Sequence, residues 1–269
     1  MSRIIRFLVR FSALLTFGVL FFIVGYILFR GVAHLNPSIF EFEYTSDNVS
    51  MFPSILTTLM LVALTLLVAT PIGVFAGFYL MEYAKKGNKL VEIVRIAEET
   101  LSGIPSIVFG LFGMLFFVIR LGFSYSLLAG TFTAAIMVLP LIMRSTEEAL
   151  LSVDDSLREA SFALGAGKLR TIFRVVLPVA MPGILSGVIL AIGRVVGETA
   201  ALMFTLGTAT QLPDGLLSSG RTLALHMYML STEGLHVNES YATGVVLLVI
   251  ILLINGLSTF LSNKLTKGR

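Results

Sequence analysis

Six long apolar runs decide what this chain can fold into. They lie at about 11–29, 54–80, 101–119, 127–143, 183–206 and 241–261 of its 269 residues. Each reaches or approaches the roughly 20 residues that a helix needs to cross a ~30 Å hydrocarbon core. Backbone in lipid must satisfy its own polar groups, so spans made from such runs are helices. Composition points the same way: 56% of residues are hydrophobic and 13% charged, against roughly 25% charged in soluble domains. Mean hydropathy is +0.94. An all-α polytopic membrane protein with six transmembrane helices is the expected fold class.

The basic residues give that protein an orientation. With both termini cytoplasmic, 15 of the 19 Lys and Arg fall on the inner side. Arg30, Arg120 and Arg221 fall outside and Arg194 falls within a span, the asymmetry that the positive-inside rule describes. The positive charge is thus sorted by side rather than gathered into a nucleic-acid patch. Arg3, Arg6 and Arg10 before the first run also suit a signal peptide, with Gly31-Val32-Ala33 as a faint cleavage site. The apolar run is longer than the ~7–15 residues of such a leader, which favours a retained helix. Lys85, Lys86 and Lys89 make a basic turn, and residues 90–100 form an amphipathic helix leading into the third span. In that span Gly103, Ser106, Gly110 and Gly113 recur at steps of three and four, a small-residue face for close helix contact.

Two stretches stand out from this plan. Between the fourth and fifth spans, residues 144–182 form a long basic loop. Apolar positions Phe162, Leu164, Leu169, Ile172, Phe173, Val175 and Val176 follow a period near 3.6, so two short amphipathic helices joined at Gly165–Gly167 are expected. Pro178 and Pro182 should stop the second. Such a loop offers a surface to a soluble partner, or rests on the lipid headgroups. The other stretch is Ala191-Ile192-Gly193-Arg194-Val195-Val196-Gly197-Glu198-Thr199-Ala200-Ala201-Leu202-Met203-Phe204-Thr205. Counting from Pro182, Arg194 lies about 18 Å along the helix. A charge there costs at least ~2.5–3.5 kcal/mol on insertion scales and should face a partner or a water-filled path. Glu198, four residues on, would share its helix face, with Gly193 and Gly197 leaving room beside them. Arginine's planar fork of donors suits an oxyanion. On this reading Arg194 contacts a translocated anion, while Glu198 holds the arginine and keeps the anion from binding tightly. A structural ion pair between helices fits the same spacing.

Three motifs in these stretches carry a resemblance. Glu159-Ala160-Ser161, then Gly165, then Val175-x-Leu177-Pro178 is similar to the "EAA" signature of membrane subunits of binding-protein-dependent ABC importers, with Ser161 for Ala and Val175 for Ile. Pro105-Ser106-Ile107-Val108-Phe109-Gly110-Leu111-Phe112 resembles the "PSIVxGLF" stretch of phosphate-import permeases. The Gly193–Thr205 string resembles the "ARxxGETAPLLFT" segment of the PstA type, departing at Gly193 (usually Ala) and Ala201 (usually Pro). The resemblance covers most of residues 71–204.

It implies a type I ABC importer permease fold, with residues 1–53 as a first helix plus external loop and residues 54–269 as the permease domain. Glu159, Ala160 and Gly165 would belong to a coupling helix that docks on a cytoplasmic ATPase. Arg194, Glu198 and Arg144 would line the translocation pathway, although Arg144 also suits a positive-inside anchor. Implied partners are a second, similar permease, two copies of the ATPase, an extracytoplasmic phosphate-binding protein and membrane lipid, all in a prokaryotic inner or plasma membrane. ATP would be bound by the partner, and no cofactor by this chain.

No energy source is visible in the chain itself. Gly167-Lys168 lacks the rest of a P-loop, since Phe162 and Leu169 stand where glycine and Ser or Thr are needed. The chain has no cysteine, and its three histidines (His34, His226, His236) have no metal-ligand spacing. Nothing resembles a nucleophile elbow or a carboxylate pair set for hydrolysis. Importers of other oxyanions such as molybdate or phosphonate remain open, as does an ion-coupled carrier. A carrier would be favoured by inverted repeats, and none is apparent.

Overall fold

The computed structural model describes residues 3–84 and 87–267. Among these, five helices are long and apolar enough to cross a membrane, and a sharply bent pair, counted as one span, makes six. The expected basic residues Lys85, Lys86 and Arg269 lie outside the described residues. The first span, α1 (Arg3–Val32), leans on the last, α11 (Val237–Lys267). Gly31 makes the closest approach: a Cβ there would collide with the Tyr241 carbonyl and Val245.

At the centre is α5 (Leu127–Leu151), clasped by α2 (Phe52–Phe78) on one side and α8 (Leu177–Val196) on the other. Leu127, Ala134, Met137, Val138, Ile142 and Leu150 are buried along it. Small residues bring the backbones together, as packing without a hydrophobic driving force in lipid requires. A Cβ on Gly73 would lie 2.8 Å from Ile142 of α5, and one on Gly183 would lie 2.6 Å from Ala149. Pro71 and Pro140 sit inside α2 and α5, where packed neighbours take up the freed backbone groups.

Two spans are broken. The amphipathic helix α3 (Lys89–Gly103) meets α4 (Ser106–Gly113, continuing as a π-helical stretch Met114–Arg120) at an angle of 106°. Proline disfavours helical backbone at the residue before it, so Ile104-Pro105 breaks the helix there. The third span therefore starts at Ser106 rather than near residue 101. Gly103 belongs to the amphipathic helix and faces open space, whereas Gly110 and Gly113 alone make the close contacts.

The loop between α5 and α8 is shorter than expected. α6 (Asp155–Ala163) is the first amphipathic helix, but the second does not stop at the prolines. α7 (Lys168–Thr171) runs through a π-helical stretch, Ile172–Val176, into α8 without interruption. Pro178 lies inside this continuous helix, just after the π-helical stretch, and does not stop it. Pro182 lies within the helix, and the Ser186 hydroxyl donates to its carbonyl (2.9 Å). At the other end the fifth span breaks after Val196 and resumes as α9 (Ala200–Met203). An irregular segment then leads to α10 (Leu223–Glu233). It is knitted to the start of α5, with the Leu127 and Leu128 N–H groups donating to the Ser218 and Leu216 carbonyls (3.0 and 2.8 Å).

Candidate functional site

α3 lies across the end of the bundle that carries α6, with its polar face turned toward α5. Between them is a cavity of about 460 Å³. Arg95, Glu98, Glu99 and Ser102 line it from α3, and Arg144, Glu147 and Glu148 from α5. Arg194 completes it from α8. Two of the sequence-predicted pathway residues, Arg144 and Arg194, thus meet in one hollow although 50 residues apart in the chain. Helical side chains lean toward the helix N-terminus, which carries the Arg194 guanidinium toward the α6 end.

The charges within the cavity are paired unevenly. Arg144 Nε reaches Glu148 Oε1 at 3.1 Å, one helical turn on, with both side chains about two-thirds exposed. Such a pair is worth only ~0.3–0.5 kcal/mol and yields readily to a competing anion. Arg95 Nη2 meets Glu147 Oε2 at 3.3 Å, while Glu147 Oε1 is buried without a hydrogen-bond partner among the described residues. Glu98, Glu147, Glu148 and Arg95 carry the site with the two arginines. Sequence reasoning missed them, although Arg144, Glu147 and Glu148 at spacings of three and four near the end of a span are a readable signal.

Glu198 is not where the spacing put it. The helix ends at Val196, so Arg194 and Glu198 do not share a helical face, and no ion pair joins them. Arg194 lies in the last turn of α8, where the partial negative charge of the helix end favours a cation. Glu198 is buried, 8% exposed, and its carboxylate accepts the Ala201 N–H at 3.0 Å. It caps α9 and holds the break in the fifth span. Gly193 faces open space and Gly197 nearly so, as expected.

The second candidate surface is α6. Its start is capped by Asp154, whose carboxylate accepts the Ser156 N–H at 2.8 Å. That bond holds the Asp154 carboxyl below the usual carboxylate range. Its end is a left-handed turn at Gly165 (φ +80°). There the Ala166 N–H donates to the Ser161 carbonyl and the Gly165 N–H to the Phe162 carbonyl, a Schellman cap. Arg158 pins α6 to the bundle. Its guanidinium binds the Glu82 carboxylate at 3.1 Å and the carbonyls of Val153 and Leu150 at 2.8 and 3.0 Å. The Ser161 and Thr171 hydroxyls meet at 2.8 Å. Glu159, Ala160 and Gly165 are all exposed, and Leu164 projects with 89% of its surface free.

Apolar helices long enough to cross a membrane, two of them broken, with a charged cavity between them and an exposed, pinned helix at one end, are the architecture of a polytopic membrane protein. The chain belongs to the family of binding-protein-dependent transport system inner membrane components, whose model matches residues 69–267. It is similar to a probable ABC transporter permease protein, YqgI, of Bacillus subtilis (34% identity over 90% of both chains). It is also similar to the phosphate transport system permease protein PstA 1 of Mycobacterium tuberculosis (41% identity over 56% of this chain and 48% of that protein). The match thus spans about half of that relative's length. Among solved structures, a bacterial alginate ABC transporter in complex with an alginate-pentasaccharide-bound periplasmic protein superposes with a TM-score of 0.68 (17% identity, 98% of this chain and 97% of that one). The MetNI methionine ABC transporter gives 0.63 (20% identity, 80% and 94%). These set the fold as that of type I ABC importer permeases. The chain is a non-catalytic transport subunit.

Proposed function

We propose that this chain forms half of the translocation pathway of an ATP-driven importer of inorganic phosphate. ATP bound and hydrolysed by two copies of a cytoplasmic ATPase would move the bundle through α6. Phosphate would arrive from an extracytoplasmic binding protein, and a second, similar permease would complete the pathway. Both termini and α6 would face the cytoplasm of a prokaryote.

The observation that carries the reading is the convergence of Arg144 and Arg194 on one cavity at the α6 end. Two guanidinium groups offer forks of donors that match a tetrahedral oxyanion. The four carboxylates around them oppose tight binding, which suits a site an ion must leave. The PstA relatives support phosphate as that ion. Glu198 enters this reading as the residue that holds the break beside the pathway, not as the partner of Arg194.

The test is reconstitution of the chain with its partner subunits in vesicles, with binding protein outside and ATP within. Phosphate should stimulate ATP hydrolysis and accumulate, and sulfate or molybdate should do neither. Arg194→Gln and Arg144→Gln should each lower phosphate uptake at least about tenfold, the loss of one charged hydrogen bond of about 1.5–3 kcal/mol, with assembly intact. Normal uptake by both variants would remove the arginines from the pathway. Accumulation without the ATPase would overturn the ATP-driven reading in favour of a carrier.

A further inference from the structure

At the α6 end, away from the charged cavity, two helices widen side by side. α2 ends in a π-helical turn, Tyr79–Tyr83, and α7 passes into the π-helical stretch Ile172–Val176. A π turn inserts a residue and displaces its neighbours, and such turns gather at functional sites. Here they flank an apolar cleft of about 360 Å³. Phe78 and Ile172 form its buried floor, while Phe75, Tyr79, Tyr83 and Phe173 stand around it between 46% and 62% exposed.

A second, more open hollow of about 640 Å³ adjoins it, sharing Tyr83 and Leu169 and bringing in Lys168 and Arg170. Lys168 Nζ lies 4.6 Å from the centre of the Tyr83 ring and donates to the Glu82 carbonyl. The Glu82 carboxylate is engaged by Arg158, so it does not cancel the lysine. Across the width of one tyrosine the surface changes from aromatic to cationic.

We propose that this composite groove binds an anionic phospholipid of the cytoplasmic leaflet, with an acyl chain in the aromatic cleft and the phosphate at Lys168 and Arg170. Tyrosines at a helix end mark the headgroup level, and basic pockets between spanning helices on the cytoplasmic side suit anionic headgroups. Free phosphate would use only the basic half and leave the cleft uncovered. A cytosolic protein would cover the basic half but not Phe75, which lies eight residues, or about 12 Å, farther into the span than Tyr83. Only an amphiphile matches both. Bound there, it joins the end of α2 to the turn at Gly165 from which α7 starts, and steadies α6. The inference rests on the orientation proposed above, with α6 on the cytoplasmic side, and not on what the pathway carries.

Native mass spectrometry of the full chain, released from detergent, would be titrated with phosphatidylglycerol and with phosphatidylcholine of the same acyl chains. Phosphatidylglycerol should bind at least about tenfold more tightly. The Lys168→Gln/Arg170→Gln double variant should lose about 30-fold in phosphatidylglycerol affinity, about fivefold per basic residue, with phosphatidylcholine unchanged. Phe173→Ala should weaken both lipids alike. Equal affinity of wild type for the two lipids overturns the proposal, and that ratio decides even where the double variant misfolds. Displacement of the lipid by millimolar inorganic phosphate overturns it in favour of a free-ion site. Displacement on assembly with the ATPase or the second permease overturns it in favour of a protein contact.

Discussion

Arg158 and Glu198 are charged side chains whose work is invisible in one dimension. Each sits in or beside a recognisable motif, yet each is spent on backbone groups: Arg158 on the carbonyls of Val153 and Leu150, Glu198 on the Ala201 N–H. Spacing announced that Arg194 and Glu198 were costly and therefore purposeful. It did not reveal that Gly197 would let the helix end between them, because one glycine in an apolar run is equally compatible with a continuous span. Arg144 and Arg194 were legible as candidates by charge and depth, but their meeting place depends on how α3 folds back over α5. Arg158 gives a direct test at this scale. Its side chain is 17% exposed and Glu82's 12%, so Arg158→Ala strands a half-buried carboxylate and two carbonyls. A loss of about 2–3 kcal/mol is expected, toward the low end for broken buried pairs. Thermal unfolding should move down by roughly 4–12 °C at ~2–4 °C per kcal/mol. Arg158→Lys should recover only part of it, since a single ammonium cannot reach the Glu82 carboxylate and both carbonyls at once. Equal unfolding temperatures for wild type and Arg158→Ala would show that α6 is held by something else.

At the scale of elements, sequence periodicity located the helices better than their ends. α6 matched because a cap at Asp154 and a glycine at 165 bound it locally. α7 and α8 fused because proline stops a helix in water more firmly than in a packed membrane bundle. α10 was not expected at all. It is an eleven-residue helix, burying Leu223, Leu225, His226 and Leu230, inside what reads as an external loop. His226 is wholly buried there. The Tyr44 ring stands edge-on to it at 6.2 Å, and the Arg221 guanidinium lies 4.9 Å over Tyr44. Burial lowers the His226 pKa from 6.5 to about 3, with the Arg221 charge adding to the effect and the Val49 backbone opposing it. The folded pKa is thus below the unfolded one, and between the two the unfolded chain binds the extra proton. The stability contributed by the neutral ring is complete above about pH 6.5 and falls away as pH drops toward 3. Wild type should therefore lose thermal stability steadily from about pH 6.5 to 5, above the range in which unperturbed carboxylates titrate. His226→Phe should lose measurably less across that interval. Parallel curves for the two proteins would mean that the ring is accessible to protons without opening α10.

For the molecule as a whole, the six-crossing plan followed from hydropathy, but its two broken crossings did not, and they pack on each other. α4 descends from the bend at Pro105 and α9 follows the break at Gly197, and the two meet at Gly110. A Cβ at that position would lie 2.8 Å from the Ala201 Cα and 3.2 Å from the Ala200 carbonyl. These are backbone atoms, which cannot rotate away as the tip of a side chain can. Both breaks border the charged cavity, through Ser102 on one side and Arg194 on the other. Their spacing therefore sets how closely the polar face of α3 approaches the arginines. Gly110→Ala should wedge α4 from α9 at an overpacking cost of about 1–3 kcal/mol. In the reconstituted complex it should reduce uptake of the transported solute more than it reduces the amount of assembled protein. Gly103→Ala is the matched comparison, because a Cβ there meets nothing within 4 Å. It also replaces a helical glycine, which should leave stability unchanged or raise it by up to about 1 kcal/mol. If the two variants transport alike, the junction of the broken spans is a packing seam with no bearing on the pathway. If only Gly110→Ala fails, the width of that seam governs the cavity, and the break that Glu198 holds belongs to the transport cycle.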